Sequence, residues 1–280
     1  MYWWAAGFSW LSLVTSTSPG APTSKANYST DARLKNQEIS SNHSIILLND
    51  IGEEHSYLGM SFSSDLETVA EPIWDAIVAH PIVEELGAGT LDEEPFRYWV
   101  RQDYIYLIDY ARVFAHGATK APDLEWMGTF AKLLDSTINT EMDLHREYAA
   151  EFDITESDLE TTDPSPTTRA YTDFLVRIAT TGTFGDLVAA LLPCMWGFNE
   201  TGKRLAKKGL PDDDRYASWI EIYAGDEFTE LTTWCKELMD DVARNKNEVE
   251  CERFRNLFRT SARYEYRFWD AAWRQEEWSV

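Results

Sequence analysis

The pattern of apolar and polar positions predicts helices along almost the whole chain from Ser63 onward. Apolar residues recur there at spacings of three and four, the period of a helix that buries one face. One clear stripe runs from Phe96 to Phe114, and the last runs from Phe254 to Ala272. Nowhere do four or more β-branched residues alternate with polar ones, so we expect no sheet. The pattern therefore predicts an all-α protein, a single bundle of about eight helices.

Local signals set the expected ends of these helices. Ser64 or Asp65 is expected to cap the first helix through its side-chain oxygen. Gly182 and Gly185 are expected to interrupt the chain before the next helix. Further helices are predicted to begin at Asp92 and to cover about 123–151, 226–243 and 248–274.

The segment from Leu187 to Lys203 is the one around which we organise the rest. Its apolar run leads directly into Pro193, which removes a backbone donor and predicts a kinked helix. Cys194 follows the proline. Buried free cysteines are common and mostly unreactive. Cys194 is therefore a candidate functional residue only if the fold supplies it with ionisable partners.

Two carboxylates, Asp103 and Glu265, each stand in an otherwise apolar helical stripe. A buried carboxylate must be paired, hydrogen-bonded or neutralised, because an isolated buried charge is costly. One interpretation is a structural hydrogen-bond network, and the other is a pocket that faces the cysteine helix. Hydroxyl groups and flat faces near these stripes come from Tyr104, Tyr106, Tyr110, Tyr171, Tyr223, Tyr264 and Tyr266. Tyrosines with a few carboxylates suit a flat, nitrogen-rich heterocycle.

Residues 1–59 differ in composition from the rest of the chain. They open with an apolar stretch that no Lys or Arg precedes, so the basic region of a secretion signal is missing. A segment rich in Ser, Thr, Ala and Asn follows, and it cannot bury enough surface to order itself. We predict a disordered or non-native extension over 1–59 and a folded helical domain over 60–280, with a secretion signal as the alternative for the extension.

Charge and cysteine usage narrow the choice of partners and of compartment. The net charge is −23, which argues against binding to nucleic acid or to a membrane surface, since both are anionic. Sixteen Arg stand against nine Lys, and this diffuse acidity suggests a halophilic source, where salt screens self-repulsion. Three cysteines without CxxC spacing predict a reducing, cytoplasmic setting. No apolar run approaches the roughly 20 residues that cross a bilayer.

Five separated motifs resemble the thiaminase II (TenA) family in order and spacing over 60–279. They are YWVRQDYIYL, SPTTRAYTDF, ALLPCMWGF, WIEIYAGDEF and YEYRFWDAAW. The resemblance implies a haem-oxygenase-like helical bundle, usually a homotetramer. It implies an aminopyrimidine aminohydrolase of thiamine salvage, which also hydrolyses some thiamine. It implies a small aminopyrimidine substrate and no metal or cofactor.

The resemblance also assigns the catalytic residues. Cys194 would be the nucleophile that adds to the pyrimidine ring, and Glu265 the proton donor for the departing amine or thiazolium. Asp103 would bind the ring nitrogen and the exocyclic amine. The chemistry agrees, because a thiolate needs activation and a leaving amine needs an acid.

The resemblance places aromatic residues around these groups. Tyr106 would lie beside the sulfur and favour its nucleophilic form, while Tyr171 and Tyr223 would flank the ring and the leaving group. Phe198 is a departure, because the family usually carries tyrosine four residues after the cysteine, and one pocket hydroxyl is lost. Met195 likewise replaces a common aromatic residue.

Two other functions fit parts of this pattern. One is a non-catalytic pyrimidine-binding or regulatory protein of the same fold, for which Phe198 is the only support. The other is a metal-dependent oxygenase, in which Glu141 and His145, four residues apart, would form half of a metal site. No histidine lies in the second half of the folded region, and di-iron sites usually need late ligands. A buried hydrogen bond between helices is therefore the preferred interpretation of this pair.

Overall fold

The computed structural model describes residues 61–280, and the predicted extension lies outside them. This part of the chain contains eleven α-helices, one π-helical turn and no strand, which confirms the all-α bundle. The elements are α1 (Phe62–Val78), α2 (Pro81–Ala88), α3 (Glu93–Lys120), α4 (Leu124–Ser136), the π turn (Thr137–Glu141), α5 (Met142–Ala150), α6 (Glu156–Glu160), α7 (Pro166–Thr181), α8 (Phe184–Lys208), α9 (Asp214–Ala224), α10 (Asp226–Ala243) and α11 (Glu248–Arg274).

The long helices agree with the sequence pattern, and the differences occur at their ends. Ser61 caps α1 by accepting a hydrogen bond from the backbone N–H of Ser64. The expected cap at Ser64 or Asp65 was therefore wrong by one turn of helix. Gly182 ends α7 as expected, but Gly185 lies inside the first turn of α8 and does not interrupt it. The short helices α2 and α6 bury too few residues to give a periodic signal, and we did not predict them.

Helix α8 runs through the bundle and packs against α9, α10 and α11. Thr183 and Asp186 begin it with a reciprocal capping box, in which each side chain accepts from the backbone N–H of the other. Asp186 also accepts from Arg253 of α11, with 2.7 Å between Nε and Oδ1. The helix continues through Pro193 as one element. Its start and its contact with α11 therefore depend on the same aspartate.

Two glycines let neighbouring elements approach α8 closely. A Cβ atom on Gly185 would lie 2.6 Å from the ring of Phe254, and one on Gly202 would lie 2.8 Å from the backbone of Tyr223. These separations are shorter than any real contact between carbon atoms. The absence of side chains at these two positions fixes how near α11 and α9 lie to the cysteine helix.

The core is rich in large aromatic side chains. Trp99 of α3 stacks on Trp269 of α11 with 5.6 Å between ring centroids, and Trp219 of α9 meets both edge-on. All three are buried, and truncating such a residue to alanine typically costs about 3–5 kcal/mol. They hold α9 together with α3, which carries Asp103, and α11, which carries Glu265. No helix in this part of the chain combines the length and apolar character that a membrane crossing requires.

The helix predicted over 123–151 contains a π turn. At Thr137–Glu141 the backbone widens for one turn between α4 and α5. The hydroxyl of Thr137, which is fully buried, donates to Oε2 of Glu141 at 3.1 Å. Single π turns inside α-helices often occur at functional sites, and this one holds a carboxylate against the interior of the bundle.

Candidate active site

Five of the predicted site residues come together from four helices. Asp103 and Tyr106 share one face of α3, and Tyr171 comes from α7. Cys194 lies in the middle of α8, and Glu265 lies on the buried face of α11. The rings of Tyr106 and Tyr171 pack with 5.2 Å between centroids, so the five residues share one neighbourhood.

Glu265 is buried, with only 4% of its surface exposed. The hydroxyl of Tyr171 donates to its Oε1 atom and also lies 3.0 Å from the hydroxyl of Ser261. Burial raises the pKa of Glu265 to about 7, although the Tyr171 hydrogen bond opposes that rise. A carboxyl group with such a pKa is suited to donate and accept protons near neutral pH.

The Cys194 thiol lies deep in the bundle, although its side chain is only partly covered. Burial raises its pKa well above the usual value, and the nearby Glu265 carboxyl raises it further. The Tyr106 hydroxyl lowers the thiol pKa, but its contact with the sulfur falls short of hydrogen-bond geometry. The thiol is therefore protonated in this arrangement, and it must lose its proton to become a nucleophile.

Asp103 is 8% exposed and has no hydrogen bond to any described residue. Its nearest ionisable neighbour is His145, with 3.7 Å between Oδ2 and Nδ1. Burial raises the pKa of Asp103 well above its usual value, and the carboxyl groups of Glu141 and Glu265 raise it further. The carboxyl group thus keeps its bonding capacity for a ligand.

The His145 ring is held by the backbone of α3. Its Nε2 atom lies 2.8 Å from the carbonyl oxygen of Val100. We assign the ring hydrogen to Nε2, because a carbonyl oxygen only accepts. Burial lowers the pKa of His145 to about 4, so the ring is neutral and turns the lone pair of Nδ1 towards Asp103. His145 thus makes the hydrogen bond between helices that was expected of the pair, whereas Glu141 bonds within its own turn.

Phe198 and Tyr223 form an aromatic wall one turn beyond the cysteine. Their ring centroids are 4.9 Å apart, and Phe198 also packs against Trp99, Trp219 and Trp269. The indole N–H groups of Trp99 and Trp219 are buried without a partner among residues 61–280. Phe198, which packs against both rings, has no polar atom in its side chain.

The structure thus brings together all seven residues that the sequence singled out. Tyr223 belongs to the group, because Asp103, Glu141 and Cys194 are near enough to raise its pKa beyond the effect of burial. Sequence reasoning assigned no role to Ser261, although it stands one turn before Glu265 in the same apolar stripe. Glu141 was considered, together with His145, as half of a metal site or as part of a buried hydrogen bond between helices, and not as a pocket residue.

No three His, Cys, Asp or Glu side chains within 61–280 are grouped as metal ligands. Glu141 bonds to Thr137 within its own turn, and His145 bonds to α3. The two residues therefore do not bond to each other, and each has a separate place in the pocket.

A small apolar cavity lies against a neighbouring face of α8, lined there by Val188, Leu191, Leu192 and Met195. Cys235 of α10 borders it, and its Sγ atom is 3.1 Å from Sδ of Met195. The remaining lining residues are Phe114, Phe130, Leu133, Trp234 and Leu238.

Comparison with known proteins places the chain in a family. The sequence profile of the TENA/THI-4/PQQC family matches residues 68–275. An aminopyrimidine aminohydrolase of Halalkalibacterium halodurans is 44% identical over 223 residues, which cover 79% of this chain and 99% of that protein. The chain belongs to the TENA/THI-4/PQQC family.

Solved structures agree with membership of the TENA/THI-4/PQQC family. A TenA homologue from P. horikoshii OT3 superimposes with a TM-score of 0.71 at 28% identity, covering 77% of this chain and 99% of that one. A domain with a heme oxygenase-like fold from Shewanella denitrificans OS217 gives 0.61 at 15% identity, covering 76% and 92%. The second likeness concerns the fold alone, and it confirms the predicted haem-oxygenase-like bundle.

Proposed function

We propose that the protein is an aminopyrimidine aminohydrolase, a thiaminase II of thiamine salvage. It hydrolyses an aminomethylpyrimidine, and to some extent thiamine, to hydroxymethylpyrimidine. The observation that carries this proposal is the buried thiol of Cys194 beside a carboxyl group, Glu265, with a pKa of about 7. The name of the Halalkalibacterium halodurans relative supports the same activity.

The chemistry begins with the sulfur. The Cys194 thiol transfers its proton to a pocket carboxylate, and the sulfur forms a bond to a carbon of the pyrimidine ring. The Glu265 carboxyl group then donates a proton to the side-arm amine. The carbon–nitrogen bond breaks and ammonia leaves. Water adds to the exposed side-arm carbon, the carbon–sulfur bond breaks, and the thiol and hydroxymethylpyrimidine are released.

The remaining pocket residues hold the ring in place for these steps. The Asp103 carboxyl group, free of other hydrogen bonds, binds the ring nitrogen and the exocyclic amine. Tyr106 favours the ionised sulfur, Tyr171 orients Glu265, and Tyr223 flanks the ring together with Phe198. The family resemblance implies no metal or cofactor, and the proposed steps use none.

Ammonia release tests the proposal. The purified protein should release ammonia from an aminomethylpyrimidine and form one hydroxymethylpyrimidine per ammonia, measured by a coupled assay and by chromatography. A panel of related aminopyrimidines and thiamine then ranks the substrates. Tight binding of a pyrimidine without release of ammonia would favour the second candidate, a non-catalytic binding protein, which Phe198 in place of a tyrosine supports.

We further propose that residues 60–280 suffice for this activity and act as a homotetramer in the cytoplasm. Exposed apolar side chains on α4 and the π turn, including Leu124, Met127 and Ile138, support a contact between copies. The acidic composition supports a halophilic source. A chain beginning at Met60 should equal the full chain in turnover and in mass by light scattering, and a large loss of either would contradict this proposal.

A further inference from the structure

A buried chain of hydrogen bonds joins α7 and α11 at the proposed acid. The Tyr171 hydroxyl lies 3.0 Å from the Ser261 hydroxyl and donates to Oε1 of Glu265. Ser261 is fully buried, and Tyr171 and Glu265 are only 1% and 4% exposed. The proposed reaction uses Tyr171 and Glu265 but leaves Ser261 without a role.

Ser261 lies four residues before Glu265, on the same buried face of α11. Many buried hydroxyl groups on helices bond to their own backbone, as Thr232 does by donating to the carbonyl oxygen of Phe228. The Ser261 hydroxyl instead reaches across to α7. Its place in an otherwise apolar stripe is therefore explained by its bond to Tyr171 and not by packing.

The donors in this chain of bonds have a fixed order. A phenol carries one hydrogen, and the hydrogen of Tyr171 goes to Oε1 of Glu265. The Tyr171 oxygen therefore accepts the hydrogen bond that it shares with Ser261, and the serine donates it. Because Oε1 already accepts from Tyr171, the acidic proton of Glu265 is carried by its other oxygen, Oε2.

The ring of Tyr171 is held so that its hydroxyl keeps these two partners. It stacks on Tyr264 with 5.1 Å between centroids and 9° between planes. On the α3 side it packs against Tyr106 with 5.2 Å between centroids. A ring packed against two neighbours cannot swing its hydroxyl towards another acceptor without losing these contacts. The direction of the hydrogen bonds then depends on which hydroxyl groups adjoin Tyr171.

We propose that Ser261 is a positioning residue whose hydroxyl fixes the direction of the hydrogen bonds through Tyr171 and so keeps the acidic proton of Glu265 on Oε2, where the leaving group can take it. The proposal rests on the proposed function and deepens it. Without the serine donor, the Tyr171 oxygen is free to accept a proton from Oε1. The proton of the acid would then be held within the protein.

The serine also affects how strongly Glu265 holds its proton. Burial raises the pKa of Glu265 to about 7, and the bond from Tyr171 opposes that rise. A donor to the Tyr171 oxygen strengthens the bond from Tyr171 to the carboxylate, because linked hydrogen bonds polarise one another. Loss of the Ser261 hydroxyl should therefore raise the pKa of Glu265 further.

The other groups around this carboxyl group are acids, phenols and a thiol. Those that feel its charge are Asp103, Tyr106 and Tyr110 of α3, Tyr171 of α7 and Cys194 of α8. Each is neutral or negative, so none of them replaces the lost stabilisation of the carboxylate.

Steady-state ammonia release over a range of pH tests the proposal. Ser261→Ala should lower kcat by about twofold to tenfold, the value of one hydrogen bond. The pH above which kcat declines should rise by about 0.4–1 pH unit. KM should stay nearly constant, because Ser261 is fully buried. In Glu265→Gln, adding Ser261→Ala should lower kcat by less than about twofold, since the two changes act on one group.

Ser63→Ala is the matched control. Ser63 is also buried, and its hydroxyl donates to Oδ2 of Asp240 at 2.8 Å. The variant loses a buried hydroxyl bond that does not involve Tyr171 or Glu265. It should leave both kcat and its dependence on pH unchanged.

Urea unfolding gives a second measurement that does not require turnover. At pH 5 Glu265 is protonated in the folded protein, so a change in its pKa has no effect there. At pH 9 it is ionised, and a higher folded-state pKa favours unfolding. Ser261→Ala should therefore increase the unfolding equilibrium constant by about twofold to tenfold more at pH 9 than at pH 5. In the Glu265→Gln background this difference should vanish.

Three results would overturn the proposal: an unchanged pH profile in Ser261→Ala, an equal loss of kcat in the Glu265→Gln background, or a loss of stability that is the same at both pH values. Failure of the proposed function would instead appear as absent ammonia release by the unaltered protein. The unfolding measurement would then still decide whether Ser261 acts on Glu265.

Discussion

Two cysteine sulfurs lie against different faces of α8, each in a different environment. Cys194 faces a carboxyl group, a tyrosine hydroxyl and the pocket. Cys235, which reaches a neighbouring face from α10, contacts Met195 and an apolar cavity. Burial raises the pKa of both thiols. For Cys235 burial is the only cause, whereas at Cys194 nearby groups act in both directions.

The comparison teaches that burial alone does not distinguish a reactive cysteine from a structural one. Both thiols are protonated in the ligand-free protein, so neither pKa marks the nucleophile by itself. What differs is whether a base, an acid and space for a ligand adjoin the sulfur. The apolar face supplies packing only, and the pocket face supplies Tyr106 and Glu265.

Serine substitutions on the two faces should differ most. Cys194→Ser should lower kcat by about 10⁴-fold or more, because the hydroxyl is a much weaker nucleophile, while pyrimidine binding survives. Cys235→Ser should keep turnover within about twofold but lose roughly 1–3 kcal/mol of stability, since it buries an unbonded hydroxyl. Ammonia assays, calorimetry and urea unfolding measure these effects. Equal loss of turnover in both variants would show that folding is responsible.

The next largest effects separate two acids on the pocket face. Glu265→Gln cannot donate a proton, so kcat should fall by roughly 10²–10⁴-fold with little change in affinity. Asp103→Asn replaces an acceptor by a donor and should weaken binding by about tenfold to a hundredfold, at roughly 1–3 kcal/mol for an unpaired polar group. Steady-state rates with calorimetry check both. A loss of affinity alone in Glu265→Gln would contradict its role as the acid.

Three pocket residues could be predicted because each left a local mark, whereas the places of Tyr106, Tyr171, Tyr223 and Phe198 came from the family resemblance. Asp103 and Glu265 are polar interruptions of apolar stripes, and Cys194 follows a proline in an apolar run. The tryptophans behind the aromatic wall were harder to predict, because Trp99 and Trp219 look like ordinary core residues until their unpartnered N–H groups are seen. Glu141 could not be assigned, since a π turn has no periodic signature and changes which side of the helix a residue faces.

Glu265→Gln, which lowers activity, should raise the free energy of unfolding. Glu265 has a pKa of about 7 in the fold against a usual 4.5, so the folded state binds more protons between these values. Below about pH 4.5 the carboxyl group is neutral in both states, so its burial carries no cost for a charge. As pH rises from there towards 7, the free energy of unfolding falls. Glu265→Gln should be more stable than the parent by up to about 3 kcal/mol at pH 8 and about equal at pH 4.5.

Urea unfolding at the two pH values tests this expectation. Glu237→Gln is the control, because Glu237 lies exposed on α10 and its loss should change little at either pH. A pH-independent difference for Glu265→Gln would mean that the carboxyl group does not titrate as the burial requires.

The smallest expected effect is at the aromatic wall. Phe198→Tyr restores to the pocket the hydroxyl that the family usually carries at this position, where it can bond to the substrate. One hydrogen bond is worth about 0.5–1.5 kcal/mol, so KM should fall by about twofold to tenfold with kcat nearly constant. Steady-state kinetics would show this, and an unchanged or higher KM would mean that the pocket gains nothing from that hydroxyl.

The π turn at Thr137–Glu141 also affects which changes in length the chain tolerates. A π turn holds one residue more than the α-helical turn it replaces. Deleting a residue within the turn would therefore restore a regular helical turn and leave α5 in nearly the same orientation. Deleting a residue of regular helix between the turn and His145 would instead rotate everything beyond it by about 100°, and His145 would lose the Val100 carbonyl. During the divergence of such proteins, loss of a residue is thus expected inside this turn rather than just after it.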